Sequence, residues 1–153
     1  MTVKHRRSRP RQTTLTRLRA HLEGLVVKAR HLSLGPNTSP EVLGQLLDAS
    51  PFAALVANNG GAYVFSNPAA AELTGYSAPE LRRLSVWQLT PNVQEREAEV
   101  LWRAFIDKGE QNGEYSLLTK GGPVIITLYA AKANFLPGLH LSVLCRAGRR
   151  TSE

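Results

Sequence analysis

The last forty residues constrain the architecture most. Three runs rich in β-branched and aromatic residues, Gly113 to Thr119, Val124 to Phe135 and Leu139 to Arg146, are separated only by the turns Lys120-Gly121-Gly122-Pro123 and Leu136-Pro137-Gly138. Connections this short join antiparallel neighbours, so the three strands form a meander. Upstream, Phe52 to Ala57 and Ala62 to Ser66 flank Asn58-Asn59-Gly60-Gly61, whose Asn and Gly residues tolerate the positive φ of a hairpin turn. Between the two strand groups lie helical stretches at 67–73, 78–83, 86–89 and 93–108, broken by Gly75-Tyr76-Ser77, Leu84-Ser85 and Thr90-Pro91. The order of two strands, four helical pieces and three strands predicts an α+β domain: a five-stranded antiparallel sheet with helices on one face.

Ahead of this domain the pattern is different. Leu15, Leu18, Leu22, Leu25, Ala29 and Leu32 recur at steps of three and four, a heptad seam on an amphipathic helix spanning 13–34 and stopped by Gly35-Pro36. The seam is too short for a stable isolated coiled coil, so it must pack on a second copy or on its own domain. Pairing of two copies, a homodimer through these six residues, is the expectation. Residues 1–12 carry five Lys or Arg and almost no apolar side chain, which predicts a disordered basic arm. Residues 35–40 are a linker, 41–49 a short helix, and 148–153 a C-terminal tail.

Charge follows the same division. Residues 1–31 hold nine basic side chains against Glu23 alone, whereas residues 32–153 hold ten basic and eleven acidic groups. The excess of +7 thus belongs to the N-terminal segment, and the rest is a near-neutral globular domain. A single cysteine, Cys145, excludes an internal disulfide framework and a cysteine-rich zinc module. No apolar run approaches the ~18 residues of a membrane span, and no signal-peptide core follows the basic start. A soluble, cytoplasmic protein is expected.

The segment SNPAAAELTGYSAPELRRLSVWQLT, residues 66–90, resembles the PAS domain family nearly position for position. The resemblance extends over about 105 residues, Val42 to Arg146, and the Lys120-Gly121-Gly122 turn is similar to a hairpin of that family. It implies a PAS fold over 41–147, with a curved sheet and a long helix enclosing a pocket. Asn67, Pro68 and Gly75 have structural reasons of their own. Asn67 can end a strand and cap a helix, Pro68 suits a first helical turn, and Gly75 permits a left-handed exit.

The resemblance also frames the cofactors. A cysteinyl-flavin photosensor of this family would need a cysteine in the long-helix region, and TPNVQEREAEV, residues 90–100, has none, which excludes that photochemistry. A haem sensor of the usual kind would carry a histidine on or beside the long helix, and residues 93–109 have none, which speaks against histidine-ligated haem. The cofactor is otherwise unknown. Candidate pocket residues are Leu101, Trp102, Phe105 and Tyr129, with Leu141 and Val143 from the last strand; the competing reading is that they simply fill the core. Alternation groups His140 with Ser142, Leu144 and Arg146, opposite Leu139, Leu141, Val143 and Cys145. His5, His21 and His31 fall in the basic segment, no histidine has a clustered partner for a metal, and Cys145 reads as a small buried hydrophobe.

No catalytic motif is visible: there is no nucleophile elbow, no plausible triad and no phosphate-binding loop, so an enzyme is not expected. The leading expectation is a sensory PAS module, dimeric, that regulates a separate effector protein and takes a small apolar ligand. With no kinase, cyclase or helix-turn-helix pattern recognisable after Arg146 in these residues, output through a separate partner or the basic N-terminal segment is the expectation. The alternative is nucleic-acid binding through residues 1–31, in a regulator of transcription.

Overall fold

The computed structural model describes residues 9–148 apart from 33 and 36. Its strands are β1 (Ala53–Asn58), β2 (Tyr63–Ser66), β3 (Glu110–Leu118), β4 (Val124–Leu136) and β5 (Leu139–Arg146). Its helices are α1 (Arg9–His31), α2 (Pro40–Leu47), α3 (Pro68–Thr74), α4 (Ala78–Leu81) and α5 (Glu95–Lys108), with a 3-10 turn at Val86–Leu89. The sheet runs β2-β1-β5-β4-β3, antiparallel at every junction. The hairpin β1–β2 and the meander β3–β4–β5 are therefore joined by pairing of β1 with β5, a contact between distant segments.

Alternation along the strands divides the core into two faces. Ala54, Val56, Leu128, Ala130, Leu141 and Val143 point one way and pack with the leucines of α1 and α2. Ala53, Leu55, Leu117 and Leu144 point the other way, toward α3, α4 and the 3-10 turn. The register agrees: Ala54 opposes Val143, and Val143 opposes Ala130.

The heptad seam is used within the chain. Leu15, Leu18, Leu22, Leu25 and Ala29 are buried against the domain's own sheet and α2, while Leu32 is 53% exposed. The expected homodimer seam is thereby corrected. A leucine side chain gains about 2 kcal/mol on burial, and the sheet's open apolar face offers that gain without the entropy loss of association. Among the described residues the helix already runs from Arg9, ahead of the expected start at Thr13. Its first turn is tied down by an ion pair between Arg11 and Glu114 of β3, a tertiary contact that a locally polar sequence does not announce. Residues 1–8 of the expected arm, and most of the tail, lie outside the described residues.

Asn67 joins the layers. Its Oδ1 accepts from the N–H groups of Ala54 and Ala70, each at 2.9 Å, and its Nδ2 donates to the carbonyls of Leu47 and Phe52, each at 3.0 Å. One buried amide thus caps α3 and clamps the start of β1 to the end of α2. Gly75 closes α3 in the left-handed conformation, φ 82°.

Candidate ligand cavity

The long helix α5 is held to the sheet by few side chains. Of its fourteen residues only Ala98 and Phe105 are buried. Val100, although apolar, is 64% exposed. The inward face instead runs through Ala98, Trp102 and Phe105, the i, i+4, i+7 positions of a helix. Between this face, the 3-10 turn and the sheet lies a cavity of about 320 Å³.

Of the expected pocket residues, Leu101, Trp102, Phe105 and Tyr129 line the cavity, and Leu101 stands 60% exposed at its mouth. Leu141 and Val143 do not line it. They project from the other face of β5 into the packing under α1, and Ser142 and Leu144 take the cavity side. The period of two was correct in sequence, but which parity faces α5 is decided by the pairing of β5 with β1 and β4. Tyr63, Trp87, Thr90 and Tyr115 complete the walls. Alternation could have placed Tyr115 with Leu117, whereas nothing local marks Tyr63 or Trp87.

The hairpin turn between β1 and β2 holds both tryptophan walls. Trp102 Nε1–H donates to the Asn59 carbonyl at 3.0 Å. Gly61, at φ 85°, lies against the Trp87 ring so closely that a Cβ there would stand 2.5 Å from Cζ3. Glycine is required twice over, by its backbone conformation and by the ring.

Behind Trp102 sits His140, 2% exposed. Its ring meets those of Trp102 and Phe105 edge-on, at centroid distances of 5.4 and 6.3 Å. Asn134 N–H donates to Nδ1 at 2.9 Å, so Nδ1 carries no proton and Nε2–H donates to Asn59 Oδ1 at 2.8 Å. Burial pushes the imidazole pKa down, which agrees with a neutral ring. His140 is thus a structural tie and not a wall of the cavity. Cys145 packs on the α1 face.

The phenols of Tyr63, Tyr115 and Tyr129 all border the cavity, and burial raises the pKa of each. Tyr115 hydroxyl bonds to Thr90 and its ring lies edge-on to Tyr129. Among the described residues no Asp, Glu, Arg or His lines the cavity, and no group of three or more His, Cys, Asp or Glu is placed to hold a metal. The chemistry available is binding by aromatic surface and neutral hydrogen bonds.

A family model described as PAS fold matches residues 43–148. Among solved structures, a domain of a sensory box sensor histidine kinase/response regulator from Geobacter sulfurreducens is 23% identical, covers 68% of this chain and 90% of its own, and superposes with a TM-score of 0.58. The PAS domain of an HTR-like protein from Haloarcula marismortui is 16% identical, covers 69% and 89%, and gives 0.59. The PAS domain of a LuxR-family transcriptional regulator from Burkholderia thailandensis, solved in complex with ethanol, is 13% identical, covers 67% and 94%, and gives 0.54. At these identities the likeness is one of fold. No curated protein matches.

Proposed function

The chain belongs to the PAS fold family, and from that premise we propose that it is a non-enzymatic sensory module that binds a small, mainly apolar ligand and passes its state to a separate effector protein. The observation that carries this reading is the aromatic cavity of about 320 Å³ under α5. A close-packed interior would have left no such space, and its volume falls at the lower end for small-molecule sites.

The route outward is also supported. An occupant of the cavity would press on Trp102 and Phe105, and both rings touch His140. His140 in turn bonds the β1–β2 turn and the β4–β5 hairpin. Movement of α5 would therefore be felt at two exposed turns, where an effector could read it. Pairing of two copies through the heptad seam drops out, because those leucines are spent on the sheet.

Native mass spectrometry of the purified protein tests this function. A discrete extra mass, absent from the cavity-filling variant Ser142→Leu, is the expected result. A protein that arrives empty and gains no thermal stability from a panel of apolar ligands would overturn the ligand-binding reading.

A second reading is nucleic-acid contact, as a regulator of transcription, favoured by what α1 leaves outward. With its apolar side against the sheet, its exposed side presents Arg9, Arg17, Arg19, Lys28 and Arg30 against Glu23. Such a helix would grip phosphates without reading bases.

A further inference from the structure

Six of the ten aromatic Phe, Trp and Tyr residues line one cavity: both tryptophans, three of the four tyrosines, and Phe105. Rings in that concentration offer π faces and edges, which favour a flat aromatic occupant over a flexible alkyl chain. The second observation concerns hydrogen bonds. Thr90 satisfies the Tyr115 hydroxyl, but the Tyr63 and Tyr129 hydroxyls have no partner among the described residues. Tyr63 is 8% exposed and lines the cavity; among the described residues only Ser66 Oγ is a buried side-chain polar atom without a partner, so the Tyr63 hydroxyl is open to the cavity space rather than sealed in the core.

A hydroxyl that faces the cavity with no protein partner is free to donate to an acceptor on a ligand, and in an apolar pocket that bond is shielded from competing water. A phenol oxygen shares its lone pair with the ring, so donating is the stronger of its two roles. Tyr63 and Tyr129 stay protonated, because burial raises both pKa values. Among the described residues no carboxylate lines the cavity to meet a cationic or strongly donating ligand. The one charged lining residue among those described, Lys108, is exposed in the last turn of α5, at the rim.

Resting on the ligand-binding reading above, we propose that the cavity takes an uncharged, planar aromatic molecule of one or two fused rings bearing a carbonyl-type acceptor, held by hydrogen bonds from Tyr63 and Tyr129. The acceptor enters toward the sheet, and the ring system lies among Trp87, Trp102 and Phe105. An aromatic ketone or quinone fits this description. An amine or a long-chain acid does not.

Isothermal titration of the full chain with acetylnaphthalene, ethylnaphthalene and naphthoate tests it. These probes share the fused rings and differ in bearing a neutral acceptor, no acceptor, or a charge. The expected result is acetylnaphthalene bound about tenfold or more tighter than ethylnaphthalene, with Tyr63→Phe and Tyr129→Phe each shrinking that ratio. Thermal melts of the two variants confirm that they fold. Equal affinity for ketone and hydrocarbon would overturn the acceptor assignment while keeping the ligand cavity. Tightest binding of naphthoate, lost in Lys108→Gln, would overturn it in favour of the charged rim. Failure of all three probes to bind would overturn the assignment together with the cavity reading beneath it.

Discussion

His140 and Asn59 are 81 positions apart in the chain and are joined by a 2.8 Å hydrogen bond from imidazole Nε2 to the amide Oδ1. The opposite ring nitrogen accepts a backbone N–H from Asn134. Protonation would set an N–H on Nδ1 against the N–H of Asn134, so this tie holds only while the ring is neutral. The Asn59 carbonyl also receives Trp102, which makes the same turn the anchor of the cavity's lid.

A pH dependence of stability follows with a definite sign. His140 and His21 both have pKa values pushed by burial below the ordinary 6.5. As pH falls through that value the unfolded chain takes up protons that the folded chain refuses, so stability is full above it and declines below it. The decline levels off once the folded imidazoles titrate. Urea denaturation from about pH 8 down to about pH 5 should show this loss, and His140→Phe should flatten it. A stability that rose on acidification would contradict the neutral tie.

The Asn67 amide makes four bonds to backbone groups, and no other side chain can reach all four. Asn67→Ala should cost about 3 kcal/mol or more, since buried peptide groups lose partners at three places in the chain. Asn67→Asp keeps the acceptor and loses the donor, so it should recover only part of that loss. Chemical denaturation midpoints measure both.

Leu18 is fully buried beneath the sheet and Leu32 is exposed, although both belong to one heptad series. Leu18→Ala should destabilise the protein by about 2–5 kcal/mol, and Leu32→Ala by less than about 0.5 kcal/mol. Neither should alter the subunit count in analytical ultracentrifugation. A Leu18→Ala variant that lost a dimer while keeping its fold would restore the pairing role.

Gly61→Ala forces a Cβ into the Trp87 ring at a backbone conformation that alanine avoids. The substitution should destabilise the domain by more than about 1 kcal/mol and shift tryptophan emission. In a Trp87→Phe background the emission shift should vanish, because the displaced ring is gone.

Binding of duplex DNA, where it is detected, should fall steeply with added salt, and charge reversal at Arg17 and Arg19 should lower the slope. Filter binding at several salt concentrations reads both. Salt-insensitive binding would remove α1 from the contact.

Local sequence determined much of this protein. Turn residues and a period of two placed the strands, the spacing of Asn67, Pro68 and Gly75 bounded α3, and the motif around them pointed to the fold. These signals are legible because caps, turns and alternation are fixed by backbone sterics within a few residues. The tertiary structure decided the rest. A heptad pattern states that one side of α1 must be buried but not against what, and the exposed sheet face supplied a nearer surface than a second copy. Alternation in β5 gave two sets, and pairing with β1 and β4 chose Ser142 and Leu144 for the cavity over Leu141 and Val143. Tyr63 and Trp87 became walls only when β2 and the 3-10 turn were brought beside α5. Contacts between segments tens of residues apart depend on which apolar faces meet in space, and no local periodicity encodes that choice.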